Sequence, residues 1–145
     1  MIDRRFLTIA LGYVAVTFVL AVLWHLVLFK GVYDALGYVG RKEPIFALGL
    51  LSMVVQGAAL GGLFPRFARG GDPYREGLRF SLAMGAFFWS CHVLAAAAKN
   101  PISPIPAFVA IETAYLLIQF TLAGLIIGWA HRPGTAPAAR FAAKA

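Results

Sequence analysis

The stretch PAFVAIETAYLLIQFTLAGLIIGW, residues 106–129, decides the fold class, because its 24 residues include a single formal charge, Glu112. A helix that crosses a bilayer needs about 20 mostly apolar residues. Three further runs meet this requirement, at residues 6–29, 45–64 and 80–98. At 1.5 Å per residue the four runs span roughly 28–36 Å, which matches a hydrocarbon core of about 30 Å. We therefore predict four transmembrane helices.

The composition excludes both a soluble domain and a disordered chain. Of the 145 residues, 61% are hydrophobic and only 13% are charged, and the mean hydropathy is +0.78. Soluble domains have about 45–50% apolar and about 25% charged residues, and a domain of this length could not bury so much apolar surface. Disordered chains are polar. The single cysteine, Cys91, excludes an internal disulfide and a cysteine-rich metal site.

We predict an all-α, polytopic membrane protein in which four antiparallel helices form one bundle. The transmembrane domain covers residues 1–132, with helices at about 6–29, 45–64, 73–98 and 106–130. The tail, residues 133–145, is rich in Ala and Pro, and we expect it to be disordered and cytoplasmic.

The basic residues predict the orientation of the chain. The N-terminus, the second loop and the C-terminal tail hold nine Lys and Arg residues, whereas the first and third loops hold four. Lys and Arg are enriched in short cytoplasmic loops. We therefore expect both termini in the cytoplasm and a bacterial inner membrane as the location. The formal charge of +7 is then a topology signal and does not indicate nucleic-acid binding.

The first loop places apolar side chains at near-helical spacing: Val32, Tyr33, Leu36 and Val39. Such a segment is expected to lie flat in the membrane interface. Tyrosine is enriched at the depth of the lipid headgroups, so we expect Tyr33 and Tyr38 there.

Two glycine pairs predict close helix packing. Gly57 and Gly61 lie four residues apart on the second helix, and Gly124 and Gly128 lie four apart on the fourth. Small residues allow two helix backbones to approach in a membrane. We predict a direct contact between the second and fourth helices, or a seam between two copies. Besides the bilayer, the expected partners are a second copy of the chain or a larger membrane complex.

Three ionisable residues are predicted to share one depth in the outer third of the membrane. His25, His92 and Glu112 lie roughly 6–9 Å inside the outer ends of their helices. A lone carboxylate facing lipid would be costly, so Glu112 should face the bundle interior. Its expected partner is His25, His92 or Lys99.

The face of the fourth helix that carries Glu112 also carries Tyr115 and Gln119, at i+3 and i+7. Gln56 of the second helix is predicted near the midplane, at a depth similar to that of Gln119. We therefore predict an interior polar site formed by six residues: His25, His92, Glu112, Tyr115, Gln119 and Gln56.

Several interpretations of this site remain open. In the first interpretation the polar residues have a structural role alone and form hydrogen bonds between the helices. They can form a proton or small-solute transport site with Glu112 as the titrating group. His25 and His92 can be the axial ligands of a haem in a membrane subunit. A metal enzyme using two histidines and one glutamate has no supporting motif spacing.

We predict neither catalytic residues nor a resident cofactor or metal, and the sequence does not indicate an enzyme. A structural or assembly subunit of a larger membrane complex is the remaining alternative.

The chain resembles, over nearly its whole length, small bacterial four-helix membrane proteins that carry a domain of unknown function. The resemblance implies the four-helix topology and brings no established activity. It rests on three motifs: Trp24-His25-x-x-x-Phe29, Glu76-Gly77-Leu78-Arg79-Phe80 before a helix containing Gly85, and Gln119 followed by Gly124-x-x-x-Gly128.

Overall fold

The computed structural model describes residues 3–38, 41 and 43–133. Within them the chain forms helices and connecting segments and no strand. Four helices are long and apolar enough to cross a membrane, and a short helix, α2 (Lys30–Leu36), follows the first of them. The long helices are α1 (Arg4–Leu28), α3 (Phe46–Phe67), α4 (Pro73–Lys99) and α5 (Ile105–His131).

The predicted helix bounds differ from these by only a few residues. The second helix continues through Pro65 to Phe67 instead of ending at residue 64, and proline is tolerated in membrane helices. Asp72 caps α4, because its carboxylate accepts a hydrogen bond of 2.8 Å from the backbone N–H of Arg75. Val39 of the predicted amphipathic segment and residues 134–145 of the predicted disordered tail lie outside the described residues.

Two of the long helices contain a π-helical segment toward their C-terminal ends. In α1 the segment is Val22–Leu28, and the N–H of Phe29 bonds to the carbonyl of Trp24. In α4 it is Ser90–Leu94. Such wider turns are rare in proteins and are frequent at functional sites.

The glycine pairs pack inside the fold, but they do not form the predicted contact with each other; the second and fourth transmembrane helices meet instead through Phe64 and His131, whose ring centroids lie 4.7 Å apart. A Cβ added at Gly57 would lie 2.8 Å from the carbonyl oxygen of Ala10, on α1. A Cβ at Gly124 would lie 2.7 Å from Cα of Leu78, on α4. Each pair therefore packs against the transmembrane helix that precedes its own along the chain, so α3 lies on α1 and α5 lies on α4.

The close approach of α4 and α5 uses small residues on both helices. Gly77, Ser81 and Gly85 recur every four residues on α4, opposite the glycine pair of α5. The hydroxyl of Ser81 also donates a hydrogen bond to the carbonyl of Phe120. This interface brings the middle of α5 against α4 and so determines which residues can reach Glu112.

Candidate functional site

The Glu112 side chain is fully buried near the start of α5, and three side chains bond to its carboxylate. Nε2 of His25 lies 3.3 Å from Oε1, and the phenol oxygen of Tyr33 lies 2.5 Å from the same atom. Nε2 of His92 lies 3.1 Å from the other oxygen, Oε2. We call these four residues the Glu112 cluster. The predicted interior position of Glu112 and its pairing with histidines are present in the structure.

Both histidines of the cluster lie in the π-helical segments of their helices. His25 belongs to Val22–Leu28 and His92 to Ser90–Leu94. A π turn changes the angular position of every residue that follows it relative to a regular α-helix. The two wide turns therefore contain the two histidines that bond Glu112, and they are part of how the helices present these imidazoles.

Tyr33 was expected among the lipid headgroups, and this expectation is wrong. Its side chain is fully buried, because the short helix α2 folds back over the end of the bundle. Burial and the neighbouring Glu112 carboxylate raise the pKa of Tyr33 well above its ordinary value. The phenol therefore keeps its proton and remains a donor.

The direction of the bond between Tyr33 and Glu112 follows from the indole of Trp24. Nε1 of Trp24 donates to the phenol oxygen of Tyr33 at 3.1 Å, and an indole nitrogen can only donate. The Tyr33 oxygen accepts this bond and directs its own proton to Oε1 of Glu112. The carboxylate thus has a fixed donor whatever the state of the two histidines.

The bonds of His25 define where a proton can reside. Nδ1 lies 3.1 Å from the carbonyl oxygen of Ala21, which can only accept, so Nδ1 carries a hydrogen. Nε2 then has two options. It is protonated and donates to the Glu112 carboxylate, or it is unprotonated and accepts from a protonated Glu112 carboxyl. In both cases one proton lies between His25 and Glu112, and the pair is neutral.

His92 bonds to the carboxylate oxygen that His25 and Tyr33 do not contact, and its side chain reaches the surface of the bundle. Its ring stacks on Phe88, with the centroids 5.1 Å apart, and 30% of its side chain is exposed. Nδ1 has no hydrogen-bond partner among the described residues, so it is open to a proton from outside the cluster. His25 is also partly exposed, at 25%. The buried carboxylate therefore lies between two imidazoles that both reach the surface of the bundle.

Two of the predicted site residues form a separate cluster deeper in the bundle. The phenol of Tyr13 donates to Oε1 of Gln56 at 2.6 Å, and Nε2 of Gln119 donates to the phenol oxygen of Tyr13 at 2.5 Å. We call these three residues the Tyr13 cluster. The prediction of one site that includes Gln56 and Gln119 is replaced by two clusters.

Tyr115 lies on α5 between the two clusters. Its ring contacts that of His25 edge-on, with the centroids 4.6 Å apart, and its side chain is buried. It makes no hydrogen bond with Glu112. Lys99, the third candidate partner of Glu112, is exposed and also does not bond to it.

The arrangement does not fit a haem held by His25 and His92. Axial ligands approach an iron from opposite faces of the macrocycle, whereas both Nε2 atoms here converge on one carboxylate. The space between the imidazoles is filled by Glu112. Within the described ranges there is also no group of three or more His, Cys, Asp or Glu residues placed to hold a metal ion.

Comparison of the chain with protein-family models, with curated proteins and with solved structures finds no match. The resemblance to small bacterial four-helix proteins therefore stays an expectation. Function has to be argued from the two polar clusters and from the composition of the helices.

Proposed function

We propose that this chain is a small multi-pass membrane protein that transports protons, or a small solute together with protons, with Glu112 as the titrating group. The observation that carries the proposal is the fully buried carboxylate held between two imidazoles from different helices. Ionisable residues inside a membrane bundle are costly, and chains of carboxylates and histidines form proton relays in pumps and transporters.

The proton count of the cluster supports this role. In its neutral state the cluster shares one proton between His25 and Glu112. A further proton can bind Nδ1 of His92, after which Nε2 of His92 can give its proton to Oε2 of Glu112. Uptake of a proton at Nδ1 thereby places another proton on Oε2, while the proton shared with Oε1 lies on His25, so the added positive charge resides on the His25 imidazolium beside a neutral Glu112 carboxyl. An imidazole can carry a proton on either of its two ring nitrogens, which suits His92 to this exchange.

The polar face of α5 supports a continuation of the proton route toward the other side of the membrane. Glu112, Tyr115 and Gln119 follow one another along that face, and Gln119 bonds to Tyr13. In this proposal the Tyr13 cluster extends the polar route past the midplane. A hydroxyl can accept one proton and donate another, so Tyr13 can carry protons without becoming charged.

The setting of the bundle is part of the proposal. Nine basic residues on one side against four on the other support two cytoplasmic termini and antiparallel helices in a bacterial inner membrane. A homo-oligomer or a larger membrane complex also remains a prediction.

Proton flux into liposomes that contain the purified protein tests the proposal. Glu112→Gln keeps the shape of the side chain and removes the titrating group, so we expect it to abolish flux while the protein still inserts and folds. Glu43→Gln makes the same change on an exposed carboxylate and should leave flux at the wild-type level.

The alternative of a purely structural or assembly subunit predicts a different pattern. In that case Glu112→Gln would be tolerated in every assay, since an amide can still bond to its neighbours, whereas Glu112→Leu would unfold the bundle. Equal flux in liposomes with wild-type protein, with Glu112→Gln and without protein would reject proton transport.

A further inference from the structure

A cavity of ≈ 290 Å³ lies at the end of the bundle where α3 ends and α4 begins, far from the Glu112 cluster. Two arginines, Arg69 and Arg79, line it. The rest of its wall is largely apolar and belongs to the ends of the two helices: Phe67, Phe80, Ala83 and Met84. The cavity thus joins a cationic edge to an apolar interior.

The guanidinium groups of both arginines at this cavity are open to an outside partner, although the charge of Arg69 also acts on the nearby Glu76 carboxylate. Both side chains are exposed, and neither guanidinium forms an ion pair there. Arg66, by comparison, donates to the carbonyl of Gly62 on its own helix. Arg69 and Arg79 therefore keep all of their guanidinium donors for a partner from outside the chain.

The one carboxylate in the cavity wall, Glu76, is occupied by the backbone. It accepts hydrogen bonds of 3.0 Å from the N–H of Arg69 and 2.8 Å from the N–H of Gly71. Its role is to close the loop between α3 and α4. The cavity consequently keeps a net positive charge.

We propose that this cavity binds an anionic phospholipid, with Arg69 and Arg79 holding the phosphate and the apolar wall contacting the first carbons of an acyl chain. Ala83 and Met84 lie four and five residues after Arg79, about 6–8 Å further along α4 into the membrane. A lipid phosphate and its chain have this same separation of charge and apolar surface. Basic pockets between transmembrane helices are known to bind anionic headgroups. A free phosphate would leave the apolar wall without a partner.

Native mass spectrometry of the full chain in detergent tests the proposal. The probes are dioleoyl phosphatidylglycerol and dioleoyl phosphatidylcholine at equal concentrations. We expect selective retention of phosphatidylglycerol, and the double variant Arg69→Gln/Arg79→Gln should weaken it by about tenfold or more, as for loss of charged hydrogen bonds. Arg4→Gln removes an arginine at the same end of the bundle but outside the cavity, and it should have little effect.

A second variant tests the contribution of the apolar wall to lipid binding separately from that of the arginine charges. Ala83→Leu fills the cavity on an exposed position and should lower retention with both arginines intact. Ala98→Leu makes the same change at the other end of α4 and should not. Competition by inorganic phosphate would show a free-anion site instead. Equal retention of the two lipids, or wild-type retention by the Arg69/Arg79 double variant or by Ala83→Leu, would overturn the proposal.

Discussion

The phenol of Tyr33 lies 2.5 Å from Oε1 of Glu112, although 79 positions separate the two residues in the chain. This contact places the short helix α2 over the site and provides the carboxylate with a donor that does not titrate in the physiological range. Tyr33 is therefore as much a part of the site as the two histidines.

Replacement of Tyr33 by Phe should destabilise the bundle and impair proton flux. The change leaves the ring in place but removes one of three hydrogen-bond partners of a buried carboxylate, which costs roughly 1–3 kcal/mol of the free energy of unfolding. Titration of the detergent-solubilised protein with dodecyl sulfate measures this loss. Tyr38→Phe is the matched control, because Tyr38 packs on Phe108 through its ring. Equal stability of the two variants would remove Tyr33 from the site.

The position of Glu112 could be predicted because it depends on one helix. A lone carboxylate in an apolar run must face the interior, and the spacing of Glu112, Tyr115 and Gln119 defines that face. The role of Tyr33 could not be predicted, because an amphipathic segment next to a membrane helix has the same pattern whether it lies on lipid or folds over the bundle.

The depths of His25 and His92 along their helices predicted them as partners of Glu112, but the π turns that contain them were beyond periodic reasoning. A pattern read at 3.6 residues per turn cannot locate a π turn, and both His25 and His92 lie in such turns. The partners of the glycine pairs depend on how the helices are arranged, which a motif on one helix does not encode. The recurrence of Gly77, Ser81 and Gly85 was a usable signal that α4 is the partner of α5.

Introduction of a methyl group at Gly124 should weaken the contact between α4 and α5. The added Cβ would lie 2.7 Å from a backbone atom of Leu78 and 2.8 Å from Oγ of Ser81, so one helix has to move. Overpacking of this kind costs roughly 1–3 kcal/mol. Gly49→Ala, where no atom lies within 4 Å of the new methyl, should be neutral or slightly stabilising in the same dodecyl sulfate titration. A loss of the same size in both variants would contradict the packing described for Gly124.

Expression with ample haem should yield a colourless protein, because Glu112 fills the space between the two imidazoles. A visible absorption spectrum of the purified protein checks this. A Soret band that disappears in both His25→Ala and His92→Ala would support the haem alternative and would mean that the cluster rearranges around an iron.

A reporter fused to the C-terminus should behave as cytoplasmic, and so should one fused to the N-terminus. The expectation follows from the uneven distribution of Lys and Arg among the loops. A periplasmic signal from either fusion would require the site to open toward the opposite side of the membrane.

Infrared difference spectroscopy across a pH step can detect whether Glu112 exchanges protons with the medium. Since His25 and Glu112 share one proton, a pH step that changes the number of protons in the Glu112 cluster should produce a carboxyl carbonyl band together with imidazole bands. In Glu112→Gln the carboxyl band should be lost and the imidazole bands should change. Glu43→Gln should keep the carboxyl and imidazole bands of the wild-type protein. A spectrum without a carboxyl band between pH 5 and 8, or one that is unchanged by Glu112→Gln, would show that Glu112 does not handle protons.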